Sequence, residues 1–358
     1  MVSYFYTSIL VFQKYTMEVV MKAVRVNKAK DLEIVDLEEV EIKENDDVKI
    51  KIKAVGICGS DVGIYNGTNP MAEYPRIIGH EMTGIVEEVG EDVKDLKVGD
   101  HVSVDPVIYC GECKNCKDER YNICENLKVR GVHVDGGFQE KIVVKEHQAY
   151  KVDENMPWNK SVLVEPFSIG FQANRRAKVK EGDVVFVMGA GSIGQTVGRV
   201  AQYLGAKVFT SDMDPKKLER AKKYGMEAIN AKEQDPIEYI KEKNNGRLAD
   251  VAVDAICTPK TFEQAVKSVA SAGRVVNLGF STEPSQIYSV DITSQELEIV
   301  GSRLSNRRFP EVIEAYNSGN LSFEDLVSHE MKFEEAEKAI NMILDKDTYT
   351  EKVILTLD

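Results

Sequence analysis

Asp183-Val-Val-Phe-Val-Met-Gly-Ala-Gly-Ser-Ile-Gly-Gln-Thr-Val-Gly198 decides how the second half of this chain folds. Val184–Met188 is an apolar run of strand length that breaks into Gly189-Ala-Gly191-Ser-Ile-Gly194. Ile193, Val197, Val200, Ala201 and Leu204 then fall at helical spacing. A glycine triplet of this form is a weak signal alone, but between a strand and an amphipathic helix it has the context that dinucleotide binding requires. Gly189 permits the tight turn. Gly191 lets the backbone approach a pyrophosphate, which the helix N-terminus stabilises, and Gly194 lets strand and helix pack closely. Ser192 and Ile193, between the second and third glycines, complete the turn. Asp212 ends the next strand-like run about 20 residues on, where a carboxylate binds the adenosine ribose diol. That carboxylate would repel a 2′-phosphate, so NAD is expected over NADP. Lys216 and Lys217 follow closely and read as a solvated helix face.

Outward from this motif, strand-like runs alternate with helical periods. The runs are Asp183–Met188, Lys207–Ser211, Glu227–Ile229, Asp250–Ala255, Arg274–Gly279 and Leu297–Gly301. Six strands with intervening helices predict a complete Rossmann sheet, parallel and wrapped by helices. Asp214-Pro215 announces the second helix as an N-cap followed by Pro, and Gly225 stops it. From Met21 to about Tyr150 the chain is instead β-rich, with short alternating segments such as Val48–Ala54, Gly84–Val89 and Lys141–Lys145 broken by Gly, Asp and Pro. From Phe309 the tail reads as helix-rich until Glu351–Leu357, a last strand expected to return to the first domain.

Cys110-x2-Cys113-x2-Cys116-x7-Cys124 is the strongest chemical signal. Four thiolates so spaced can close a tetrahedral shell around zinc and staple a lobe that has little core of its own. A bacterial ferredoxin run has three residues and a Pro around its fourth cysteine, and here there are seven and no Pro, which disfavours an iron–sulfur cluster. With no open position the site is structural. Clustered cysteines also argue for metal binding in a reducing compartment rather than a secreted disulfide framework, so a cytoplasmic location is expected. Cys257, after a strand run, reads as core.

The chain has 358 residues, enough for about two domains, and a net charge of −13 from 46 basic and 59 acidic residues. Such a balance repels phosphate backbones and anionic lipid, which disfavours nucleic acid and membrane as partners while leaving a small anionic substrate possible. No apolar run approaches the roughly 20 residues of a bilayer span. Residues 1–20 read as an extension, with Met17 and Met21 as alternative starts and Met21-Lys-Ala-Val-Arg-Val26 as the first strand of the folded body.

Gly56-Ile-Cys-Gly-Ser-Asp61 and Gly79-His-Glu81 suggest a second metal site. Read alone, Cys58 is more often a buried apolar residue and His80 more often a satisfied core histidine, and it is the family resemblance that turns both toward a metal. A soft thiolate, an imidazole and a carboxylate bind zinc while leaving one position open, and Glu81 and Glu165 (in Val164-Glu-Pro166) compete for the third place. Together these residues resemble the zinc-containing medium-chain dehydrogenase/reductase superfamily over essentially everything after Met21. Gly79-His-Glu81 and Val164-Glu-Pro-Phe167 resemble its polyol and sugar-acid branch, which includes sorbitol, L-idonate and L-galactonate dehydrogenases. Gly131-Val-His-Val-Asp-Gly-Gly-Phe138 and Gly301-Ser-Arg303 are most similar to the sugar-acid members.

The resemblance implies a GroES-like catalytic domain (21–172 and 305–358, with a zinc lobe at about 105–128) interrupted by a Rossmann domain (173–304). It implies an active site in the cleft between them, a homodimer or homotetramer, NAD, and two zinc ions per chain. Cys58 and His80 match catalytic zinc ligands, with Glu81 or Glu165 as the third and the other glutamate ordering water. Ser60 matches the hydroxyl that takes the alcohol proton, Asp61 a supporting carboxylate, and the four clustered cysteines the structural site. Where many members place a proton-relay histidine this chain has Gly63, so water, the ribose hydroxyls or His133 must take over. Arg303 reads either as a surface or interface arginine or, since the resemblance places the end of the sixth strand near the nicotinamide, as a guanidinium gripping a carboxylate at the far end of the substrate. The expected reaction is hydride transfer between NAD and a secondary alcohol of a polyol or sugar acid. The rivals are a threonine-type amino-acid dehydrogenase, a zinc-free quinone-type reductase, and a catalytically silent regulatory or zinc-lobe interaction protein.

Overall fold

The computed structural model describes residues 20–345 and 347–358. Of the expected N-terminal extension, residues 1–19 lie outside the described residues, while Val20 already belongs to the strand Val20–Lys28. Among the described residues no helix is long and apolar enough to cross a membrane.

The second half forms a six-stranded sheet in the order Glu227–Asn230, Lys207–Asp212, Val184–Met188, Ala249–Asp254, Val269–Asn277, Glu298–Gly301. Every neighbouring pair is parallel. All six expected strands are present, and the fifth begins five residues earlier than its apolar run, at Val269. Val184–Met188 is buried along its whole length, as a central strand covered on both faces must be. The strand order reverses beside it, and the glycine turn sits at its carboxyl end, where open parallel sheets bind ligands. Asp214 caps the helix Pro215–Lys223 by accepting from the Lys216 N–H at 2.9 Å.

The rest of the chain builds a three-stranded sheet, Asp31–Glu38, Val20–Lys28 and Arg76–Ile77, and a seven-stranded sheet around the long strand Asp47–Ile57. Glu81–Val89 pairs with that strand on one side and Lys352–Thr356 on the other, both antiparallel, so the end of the chain does return to its beginning. The tail contains one strand that its sequence conceals. Val327–Lys332 lies parallel to Lys352–Thr356, and its Val-Ser-His-Glu-Met-Lys carries too few apolar residues to show a period of two. A two-stranded ribbon, Val107–Ile108 with Lys128–Val129, closes the neck of the cysteine lobe.

The helix Val164–Arg176 joins the two sheets. Gly170 lies against the Thr196 backbone of the helix Ser192–Tyr203, where a Cβ would approach within 2.8 Å. Arg199 reaches from the nucleotide half to the Ser322 and Glu324 carbonyls at 3.0 and 2.8 Å. Arg220 meets Glu351 at 2.8 Å in a pair with almost no exposure.

Candidate active site and metal centres

Cys58 is the N-cap of the helix Gly59–Asn66, and Asp61, three residues on, accepts the Cys58 N–H at 2.8 Å. The other oxygen of Asp61 accepts the Gly79 N–H at 2.9 Å. One fully buried carboxylate therefore fixes both segments that carry sulfur and imidazole. It also lies 3.7 Å from His80 Nδ1, which leaves Nε2 as the nitrogen free to hold a metal. Ligand atoms of Cys58, His80 and Glu81 converge within 4.8 Å of one another, the donor set that fits zinc. Burial alone would depress the His80 pKa, but Asp61 and Cys58 outweigh it and hold it well above the ordinary range.

Glu81 has a partner that the sequence did not announce. Lys352, the first residue of its strand, donates to both Glu81 oxygens at 2.5 and 2.7 Å and is itself buried. The register explains the meeting. Gly56 pairs with Glu81 on one side, and Ile57 pairs with Val353 on the other. Gly56 leaves the room, because a Cβ there would stand 2.1 Å from Glu81 Oε2. Burial works against the Lys352 ammonium, yet Glu81 and Cys58 raise its pKa above the usual range. Glu165, in the first turn of Val164–Arg176, lies outside the three-ligand cluster but within electrostatic reach of His80, Glu81 and Lys352. Burial pushes its carboxyl up to about 8. Both glutamates are thus brought to the site. Ser60 lies in the same helix turn as Cys58, and its hydroxyl makes no hydrogen bond among the described residues.

The four clustered cysteines are free thiols rather than disulfides. Their sulfurs stand 3.4 Å (Cys110–Cys124), 3.5 Å (Cys113–Cys116) and 4.0 Å (Cys110–Cys116 and Cys113–Cys124) apart. A tetrahedron with Zn–S bonds of about 2.3 Å has edges of about 3.8 Å, so the set fits zinc. N–H groups of Cys113 and Glu112 lower the Cys110 pKa to about 6. Cys257 is not in the core as expected. It is half-buried in a turn with φ of 68°, its N–H bound to Asp254 at 2.9 Å, and burial pushes its thiol up to about 12.

At the nucleotide turn, a Cβ on Gly194 would fall 1.8 Å from the Gly189 carbonyl, so close packing demands glycine. Gly191 faces open space, with Lys217 Nζ the nearest atom at 3.8 Å. Ser192 and Ile193 begin the helix. Asp212 accepts from the N–H groups of Ala190, Met213 and Asp214 at 2.9, 2.7 and 3.0 Å, which orients its carboxylate at the strand end.

Arg303 and His133 stand close enough that Arg303, after burial, lowers the His133 pKa. His133 Nδ1 accepts the Val129 N–H at 3.0 Å. The Arg303 guanidinium lies 5.7 Å above the Phe280 ring and has no carboxylate at ion-pair distance among the described residues. Its backbone carbonyl accepts from Asn122 of the cysteine lobe at 2.6 Å, a contact with no signal in the sequence. Neither His133 nor Arg303 makes a hydrogen bond to Cys58, His80 or Glu81.

Residues 44–154 match the alcohol dehydrogenase GroES-like domain, and residues 192–318 match the zinc-binding dehydrogenase domain. The chain is 39% identical over 339 residues to the starvation-sensing protein RspB of Escherichia coli, covering 94% of this chain and 99% of that one. It is 34% identical over 331 residues to the sorbitol dehydrogenase of Bacillus subtilis, covering 90% and 94%. It is 32% identical over 297 residues to the L-galactonate-5-dehydrogenase of Escherichia coli, covering 82% and 87%. The crystal structure of an Escherichia coli RspB, an alcohol dehydrogenase complexed with NADH, superposes with a TM-score of 0.89 at 38% identity, covering 94% of this chain and 99% of that chain. Sequence, fold and donor sets agree, and the chain belongs to the zinc-binding alcohol dehydrogenases of the medium-chain dehydrogenase/reductase superfamily.

Proposed function

We propose that this enzyme oxidises a secondary alcohol of a sugar acid or polyol with NAD, at a cleft between the GroES-like part (21–172 and 305–358) and the Rossmann part (173–304). Zinc held by Cys58, His80 and a glutamate would acidify the substrate hydroxyl, and NAD would accept the carbinol hydride. Glu81 is the glutamate within the ligand cluster, and Glu165 faces the same space from the neighbouring helix. Asp61 aligns the Cys58 and Gly79 backbones and faces the rear nitrogen of His80. Lys352 balances the Glu81 charge. Ser60 accepts the alcohol proton on a hydroxyl that has no competing bond. With Gly63 where a relay histidine is common, the proton leaves through water, the ribose hydroxyls or His133. Gly191 exposes the turn to the pyrophosphate, and Asp212 receives the ribose hydroxyls. A structural zinc on Cys110, Cys113, Cys116 and Cys124 would hold the lobe whose Asn122 pins Arg303.

The observation that carries the substrate class is Arg303, a cation with no carboxylate partner, beside His133. A site built around such a guanidinium favours a carboxylate and rejects analogues lacking it, because the arginine would be left unpaired. Relatives named for L-galactonate and for sorbitol frame the choice between sugar acid and neutral polyol. A panel of aldonates and the corresponding polyols tests it. Aldonates should give the higher kcat/KM, and Arg303→Ala should erode that preference. If sorbitol or xylitol outcompetes every aldonate and Arg303→Ala changes neither, the substrate is a neutral polyol and Arg303 has no part in choosing it.

A further inference from the structure

A cavity of about 680 Å3 opens where the cysteine lobe, the last turn of Val164–Arg176 and the segment after Arg303 meet. The protein carries a net charge of −13, yet Arg120, Arg175, Arg176 and Arg307 all line this one cavity. None of the four has a carboxylate at ion-pair distance among the described residues. The other cations in the wall are already neutralised, Arg308 by Glu311 at 2.6 Å and Lys178 by Glu298 at 2.7 Å. Asp118 is likewise taken, by Lys114 at 2.7 Å, so Glu119 is the one lining carboxylate without a cation.

Cations at a helix C-terminus complement its dipole, which accounts for Arg175 and Arg176 but not for Arg120 on the lobe or Arg307 beyond the helix. Arg307 is held in place, donating to the Tyr150 hydroxyl at 3.2 Å with its guanidinium 5.3 Å from the Tyr121 ring centroid. A second observation points to a ligand. Gln172 is only 4% exposed and lines the same cavity, and its buried Oε1 has no hydrogen-bond partner. A buried amide oxygen left unpaired costs about 1–3 kcal/mol, and rotating the amide so that its N–H2 meets a bound anion removes that cost.

We propose that this cavity binds a small phosphorylated molecule carrying at least two negative charges, at a site separate from the coenzyme turn. Guanidinium groups match phosphoryl oxygens bidentately, the Gln172 amide can turn its N–H2 toward the same anion, and Tyr121 and Tyr150 give the remainder of the ligand a ring to lie against. The volume falls in the range of about 300–1,000 Å3 typical of small-molecule sites. A bound anion would tie the zinc lobe to the end of the helix whose first turn carries Glu165.

The test uses the zinc-loaded enzyme saturated with NADH, which blocks the coenzyme turn, titrated calorimetrically with pyrophosphate and separately with inorganic phosphate. One site per chain is expected. Arg175→Gln and Arg307→Gln should each weaken binding about tenfold or more, the loss of one charge-assisted contact of about 1.4 kcal/mol. Gln172→Leu, which alters no charge, should weaken it by a smaller factor. Equal affinity for the two probes assigns the site to a monophosphate ester, and tighter pyrophosphate binding assigns it to a diphosphate. Absence of heat with both probes at millimolar concentration overturns the proposal, as does binding that the Arg175→Gln/Arg307→Gln double variant retains unchanged.

Discussion

Replacing Lys352 by Met removes a buried charge while keeping nearly the same volume, and it leaves Glu81 without its counter-ion. The two groups are 4% and 1% exposed at the side chain and meet at 2.5 and 2.7 Å, so solvent screens them little. At an effective dielectric constant of about 20, Coulomb's law gives the pair about 6 kcal/mol. Desolvation offsets part of that, and breaking one side of a buried pair costs about 3–5 kcal/mol. Lys352→Met should therefore destabilise metal-stripped protein by about 3–5 kcal/mol in urea unfolding. Glu81→Gln placed on top should recover much of the loss, since the uncompensated charge disappears. The double-mutant cycle would then show a coupling energy of about 2 kcal/mol or more. In zinc-loaded protein the single substitution should cost less, because a cation beside Glu81 stands in for the ammonium. A cost below about 1 kcal/mol in stripped protein, or losses that simply add, would refute the view that Glu81 depends on this ion pair.

Metal analysis should find two zincs per chain, with Cys113→Ser lowering stability but sparing the chemistry of surviving enzyme, and Cys58→Ser abolishing turnover; normal turnover in Cys58→Ser removes the catalytic assignment. Catalytic efficiency should favour NAD over NADP by at least about tenfold, about 1.4 kcal/mol, and Asp212→Ala should narrow the gap. Ser60→Ala should cost much of the rate and alter its pH profile, whereas Gly63→His should be tolerated, because a Cβ at Gly63 meets its nearest neighbours at 3.5 Å, an ordinary contact. Burial raises the Asp105 carboxyl from 3.8 to about 6, so the native state holds that proton more tightly than the unfolded chain does. Its contribution is present below pH 3.8 and is lost as the pH rises through about 6. Asp105→Asn should therefore gain on the unaltered protein by about 3 kcal/mol between pH 4 and 7, read as the difference between their stability profiles.

The parallel sheet was legible because each strand is a short apolar run bounded by turn residues, and because the turn after the first must carry glycines. The cysteine lobe was legible for a related reason, since its four ligands are local. Lys352 was not, because a lysine opening a terminal strand looks solvated until a register 271 residues away sets it against Glu81. Val327–Lys332 was hidden by its polarity, which suits a strand at the sheet's edge. The second helix was read correctly from Asp214-Pro215 and Gly225, where capping chemistry is written in adjacent residues. Asn122 illustrates the opposite limit, since nothing around it in the sequence says that its amide reaches the Arg303 carbonyl.

The strand Lys352–Thr356 also sets an order of events during synthesis. The cysteine lobe needs only residues 110–124 and can capture its metal while most of the chain is still unmade. The cluster at Cys58, His80 and Glu81 has its residues early, but the ammonium that balances Glu81 and the strand that flanks Ile57 come from Lys352–Thr356, far downstream. A nascent chain that has not yet reached Lys352 carries Cys58, His80 and Glu81 without that partner strand. The two cysteine-bearing clusters thus close on different schedules, one from neighbours within fifteen residues and the other only once a strand about 270 residues downstream has been made.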